Sequence, residues 1–168
     1  MNYAIHTTGM VALIFLTLSL AVTPVRKLTG WNQLIVVRRM LGLYAFFYAA
    51  AHFVLFFGWD RGFSVTSTLS EMVKRRYLIV GSLGLLIMVP LAVTSTNGMM
   101  KRLGGKRWQA LHRWAYVAGV AGVLHYYMQV KKDVRLPIVF GVAVAVLLGY
   151  RMVTRKPKGR ARVAPVAG

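Results

Sequence analysis

Five stretches of this chain are apolar for long enough, or nearly so, to cross the roughly 30 Å of hydrocarbon in a bilayer. They run from Ile5 to Val25, Met40 to Trp59, Tyr77 to Ser95, Trp108 to Val130 and Val134 to Tyr150. Lipid offers no partner to a backbone N–H or C=O, so such runs must close their hydrogen bonds internally, as helices. The predicted architecture is all-α, a polytopic membrane bundle of about five transmembrane helices. The last segment is the shortest, and its flanking Arg135 and Arg151 are expected to snorkel toward the interfaces. The first lacks a basic leader and a small-residue cleavage site, so it reads as a retained helix. Pro24, the turn from Gly58 to Gly62, Asn97-Gly98, Gly104-Gly105 and Asp133 punctuate the chain where connections are needed. One domain, 1–154, precedes a basic tail, 155–168.

Charge sets the orientation. The 22 lysines and arginines against 3 acids give a formal charge of +19, and 57% of the residues are hydrophobic. On a soluble protein that charge would point to nucleic acid. Here the charges fall between apolar runs and form no stripe along a helix, which excludes that partner and leaves the lipid bilayer. With five spans, Arg61, Lys74, Arg75, Arg76, Lys131, Lys132 and Arg135 share one face. The other fifteen of the 22 lie opposite, among them Arg26, Lys27, Arg38, Arg39, Lys101, Arg102, Lys106, Arg107 and the tail from Arg155 to Arg162. The richer face is cytoplasmic by the positive-inside rule, so the N-terminus is expected outside and the C-terminus inside a bacterial inner membrane. The tail is a stop signal attracted to anionic lipid.

The chain has no cysteine, which excludes disulfides, thiolate metal sites and iron–sulfur clusters. Any redox chemistry needs a cofactor held by other ligands. An ionisable residue inside a membrane span is a functional candidate by default, and the chain has four histidines: His6, His52, His112 and His125. His52 in the second span and His125 in the fourth lie at similar depth on helices that run parallel, toward the outer face. Two neutral imidazoles facing each other across an apolar slot form a bis-axial site for a low-spin haem. The competing reading, interhelical hydrogen-bonding glue, accounts less well for two mid-span histidines at one depth.

His112 is thirteen residues before His125, which on a continuous helix puts it about 20 Å nearer the cytoplasm, rotated by about 140°. That position suits a second redox centre, but it has no histidine partner; the residue at matching depth on the second helix is near Arg39. Arg39 is a candidate to grip a haem propionate or a flavin phosphate. An interfacial role for His112, inside the basic stretch Lys106 to Arg113, is an equal alternative. Gly119 and Gly122 are small enough to admit a porphyrin or a neighbouring backbone. His6, at the outer mouth of the first span, is read as structural. Trp59, Tyr77, Trp108, Tyr126, Tyr127 and Tyr150 are read mostly as an aromatic belt.

Several motifs carry a resemblance. These are Arg38-Arg39-Met40-Leu41-Gly42-Leu43 leading to His52, the run Leu91 to Asn97, Lys101-Arg102-Leu103-Gly104, Lys106 to Arg113, and His125-Tyr126-Tyr127 followed by Val130-Lys131. Together, from Thr8-Gly9 to about Tyr150, they resemble the haem-binding membrane subunits of periplasmic methionine sulfoxide reductase systems, within the ferric-reductase-like transmembrane family. Arg76 stands where that family usually has a proline, Met128 where a tryptophan is common, and members often carry six spans, so this chain reads as beginning at the second.

The resemblance implies a b-type cytochrome with one or two haems, with FMN as a further candidate cofactor. It would take electrons from a cytoplasmic flavin reductase or quinol and deliver them to a molybdopterin-containing periplasmic reductase, MsrP, which repairs oxidised proteins. It also implies that His52, His112 and His125 are the haem-iron ligands. Such a chain is an electron-transfer subunit with no substrate-transforming site of its own. Two alternatives stay open: a ferric or other metal reductase on the same scaffold, and a non-redox membrane assembly factor.

Overall fold

The computed structural model describes residues 2–154; Met1 and the tail 155–168 lie outside the described residues. The helices are α1 (Asn2–Thr29), α2 (Leu34–Leu55), α3 (Val65–Lys74), α4 (Arg76–Val93), α5 (Asn97–Leu111), α6 (Trp114–Gln129) and α7 (Arg135–Val153), and no strand occurs among the described residues. A π-helical turn over 56–60 extends α2. By length and composition α1, α2 with its extension, α4 and α7 can each cross a membrane.

The fourth expected span is shorter than its hydropathy implies. Residues Trp108–Leu111 belong to α5, the chain turns at His112 and Arg113, and α6 begins only at Trp114, leaving 16 residues. Hydropathy runs Trp108, Ala110 and Leu111 into the following segment, but side-chain bonds pull this stretch back onto the end of α4. The Trp108 indole N–H donates to the Thr94 carbonyl at 3.0 Å, and His112 Nε2 lies 3.2 Å from the Thr94 hydroxyl. The rotation expected between His112 and His125 on one continuous helix therefore does not apply. α5 itself bends at Gly104, whose φ of 72° is natural for a residue without a β-carbon.

α1 packs most extensively on α2 and α4 on α6, with α7 against α6 and α1. Leu16, Ala45, Met88 and Ala118, one from each of α1, α2, α4 and α6, meet at the centre. Gly119 and Gly122 admit a neighbouring helix here: a β-carbon on them would stand 3.1 Å from Leu20 Cδ1 and 3.3 Å from Leu13 Cδ1, so α1 seats against α6. Small residues at a crossing allow this approach where lipid gives no hydrophobic drive.

Arg135 is exposed, as expected, but Arg151 turns inward. Its Nη2 donates to the Leu20 carbonyl at 2.8 Å, its guanidinium lies 4.6 Å over the Tyr116 ring, and its Nε and Nη1 are shielded from solvent. The cause is in α1. Pro24 has no N–H to give the carbonyl four residues earlier, which is that of Leu20. A bond to that unpaired acceptor outweighs snorkelling.

Candidate functional site

Among the cavities formed by the described residues, one lies toward each end of the bundle. The first, about 440 Å³, is lined by both His52 and His125, which α2 and α6 bring to the same end because the two helices run parallel. Their ring centres are 6.0 Å apart with the planes at 84°.

Each imidazole is seated in the same way on the helix paired with its own. His52 Nδ1 lies 2.8 Å from the Ile5 carbonyl of α1, and His125 Nδ1 lies 2.7 Å from the Tyr77 carbonyl of α4. A carbonyl only accepts, so Nδ1 carries the proton in both rings and Nε2 keeps its lone pair. Four residues beyond each carbonyl stands a glycine. A β-carbon on Gly9 would come within 3.0 Å of His52 Nδ1, and one on Gly81 within 2.5 Å of His125 Nδ1. The glycines open the helix surface so that each ring can reach the backbone.

Two fixed, neutral imidazoles with free Nε2 atoms form a donor set for a metal that prefers nitrogen. With metal–nitrogen bonds of about 2 Å, imidazoles on opposite sides of one ion have ring centres about 6 Å apart once the ring radii are added. The spacing fits that demand. The lining is mostly apolar and includes small residues, among them Ala12, Ala45, Ala49 and Gly84, which leave room for a flat macrocycle.

The mouth of this cavity is polar. Arg61 bonds Asp60 at 2.6 Å and lies 3.6 Å from Glu71, whose carboxylate also meets Arg75 at 2.8 Å. Arg75 Nη1 donates to the Tyr77 hydroxyl at 3.3 Å, and the Tyr77 carbonyl receives His125. His6 is exposed here, its Nδ1 3.5 Å from Gln129 Nε2.

The second cavity, about 370 Å³, brings His112 and Arg39 together, along with Arg26, Arg38, Arg113 and Trp108. Among the described residues no carboxylate lines it. Arg39 donates to Asn97 Oδ1 and lies 3.7 Å from Met100 Sδ. The Thr94 hydroxyl gives its proton to the Pro90 carbonyl at 2.6 Å, so it accepts from His112 Nε2. His112 thus differs from the other two, since its free lone pair is on Nδ1. Trp108 stacks on it at 3.9 Å between ring centres, so this tryptophan belongs to a cavity wall rather than an aromatic belt. Four guanidinium groups and a planar wall make a site for an anionic, flat ligand. Leu16 and Met88 are the lining residues common to both cavities.

Sequence reasoning did not find Gly9, Gly81, Thr94, Arg26, Arg38 or Arg113 as site residues. The glycines offered a faint signal, each four residues after a carbonyl that a histidine about 47 positions later reaches.

The sequence profile described as ferric reductase like transmembrane component matches residues 8–123. The chain is 50% identical over 153 residues to the "Protein-methionine-sulfoxide reductase heme-binding subunit MsrQ" of Herminiimonas arsenicoxydans, covering 90% of this chain and 70% of that one. Proteins with the same description from Rhodospirillum rubrum and Ralstonia nicotianae are 48% and 46% identical, covering 94% and 90% of this chain and 76% and 71% of theirs.

Proposed function

Because the chain belongs to the ferric reductase like transmembrane family, and within it to the heme-binding subunits of protein-methionine-sulfoxide reductase, we propose that it is a membrane b-type cytochrome that carries electrons across the bacterial inner membrane. The donor is a cytoplasmic flavin reductase or quinol, and the acceptor is a periplasmic molybdopterin reductase, MsrP, that reduces methionine sulfoxide in oxidised proteins.

One observation carries the reading: the ring centres of His52 and His125 lie 6.0 Å apart, with both Nδ1 atoms committed to backbone carbonyls. On this reading their Nε2 atoms ligate the haem iron. Ile5 and Tyr77 fix the tautomer and hold the rings still, which keeps the ligand set unchanged between oxidation states. Arg26, Arg38, Arg39 and Arg113 bind the anionic group of a second centre, the phosphate of FMN or the propionates of another haem, and His112 stands beside it. When bound, a haem carries single electrons and a flavin converts a two-electron donor to single steps. Leu16 and Met88, both buried and apolar, line both cavities and stand between the two centres. The lysine and arginine bias puts the His52–His125 end outside, toward the periplasmic acceptor, and the arginine-lined cavity inside, toward the donor.

The test is the reduced-minus-oxidised visible spectrum of the purified chain, expressed with ample haem, together with a pyridine haemochrome. A b-type α-band is expected, and the haem count per chain decides whether His112 serves a second haem. Absence of haem would overturn the reading.

A further inference from the structure

Helix α3 is built the wrong way round for a helix in water. Its protein-facing side carries Ser67, Thr68, Glu71 and Met72, with Thr68 buried and the Glu71 side chain only 15% exposed. Its apolar residues face out: Val65, Leu69 and Val73 are 61%, 57% and 80% exposed. At about 100° per residue these three fall within about 80° of arc. Thr66, Ser70 and Lys74, all exposed, take the next sector, and the four protein-facing residues take the remainder.

A helix with one face on protein, one apolar face and one polar face fits a boundary between hydrocarbon and water. We propose that α3 lies in the membrane interface at the His52 end of the bundle, with Val65, Leu69 and Val73 in lipid acyl chains. α3 packs on α4, and the spans that flank it in the chain carry exposed apolar residues of their own, Ile79 and Leu83 on α4 and Val54 on α2. Trp59 and Phe63 are exposed just before it, and Lys74 and Arg76 close it with charges suited to headgroups. Lipid is favoured over a soluble partner because α3 joins two helices long and apolar enough to cross a membrane and packs on the second of them, which holds it at the level where those spans leave the hydrocarbon.

The placement has a consequence for the first cavity. Glu71 projects from the opposite face of α3 and holds Arg61 and Arg75, both of which line the mouth. Seating the apolar stripe in lipid therefore fixes where those two guanidinium groups stand.

The chain has no cysteine, so single cysteines label without background. Nitroxides are attached at Val65→Cys, Leu69→Cys, Val73→Cys, Thr66→Cys and Ser70→Cys in the full chain, in phosphatidylcholine–phosphatidylglycerol vesicles. Collision with oxygen is compared with collision with a water-soluble nickel chelate. Oxygen should dominate at positions 65, 69 and 73, and nickel at 66 and 70. Equal nickel access at all five positions overturns the proposal, whether or not a soluble protein later shields them. Shielding from both reagents overturns it too, in favour of a second copy of this chain. A measurement on the unaltered protein guards against misfolded variants: a carbene-generating reagent dissolved in the bilayer should label α3 at Val65, Leu69 or Val73, and labelling confined to the transmembrane helices would overturn the proposal.

Discussion

Gly81 and the imidazole of His125 lie so close that a β-carbon on the glycine would stand 2.5 Å from Nδ1. The corresponding clearance between Gly9 and His52 is 3.0 Å. In a helix interior alanine is favoured over glycine by about 1 kcal/mol, so nothing in helix formation asks for glycine at either place. The requirement comes from the ring. Gly81→Ala should push His125 off the Tyr77 carbonyl and cut bound haem severalfold, while Gly9→Ala, with more room, costs less. Haem per chain and thermal stability are measured together. A severalfold haem loss without a fall in stability is expected for Gly81→Ala, and full haem occupancy would show that the ring does not need its seat.

His52→Ala and His125→Ala should each abolish the low-spin haem spectrum, since either removes one of two nitrogen ligands. His112→Ala should leave that spectrum in place and alter only a centre in the arginine-lined cavity. Absorption and electron paramagnetic resonance spectra of the three variants distinguish these outcomes. A normal low-spin spectrum in both His52→Ala and His125→Ala would sink the assignment.

The pairing of His52 with His125 was legible because it depends only on depth along parallel helices, and helix rise converts sequence position into depth. The pairing of Arg39 with His112 was legible for the same reason. The seats at Ile5 and Tyr77 were not, because a bond to a carbonyl on another helix depends on how each helix is rotated. The turn at His112 escaped because hydropathy counts Trp108 and Leu111 as membrane residues, whereas Thr94 holds that stretch by hydrogen bonds. Helix α3 escaped because its 10 residues are too few to cross a bilayer, and the apolar runs that stand out in the sequence are the long ones. Arg151 escaped because snorkelling is a default for an arginine at a span end, and Pro24 lies far away in sequence.

The arginine-lined cavity should bind FMN through its phosphate. Losing one charge-assisted hydrogen bond costs about 1.5–3 kcal/mol, so Arg39→Gln or Arg113→Gln should weaken FMN binding about tenfold or more. Quenching of flavin fluorescence measures it. The low-spin signal of the His52–His125 centre should be unchanged in both variants, because neither residue lines the histidine cavity. Equal FMN affinity in the variants and the parent chain would remove the phosphate from this site.

Arg151 and Pro24 should behave as a pair although 127 positions separate them. In the parent chain Arg151→Met removes the donor to the Leu20 carbonyl and leaves that acceptor unpaired, at a cost of about 1–3 kcal/mol. In a Pro24→Ala background the substituted residue supplies the missing N–H from within α1, so the same Arg151→Met change should cost markedly less. Unfolding in detergent of the parent, both single variants and the double variant gives the coupling directly. If Arg151→Met costs the same in both backgrounds, the arginine is held by Tyr116 rather than by the carbonyl that the proline leaves open. A smaller cost in the Pro24→Ala background would make the inward turn of Arg151 a consequence of Pro24.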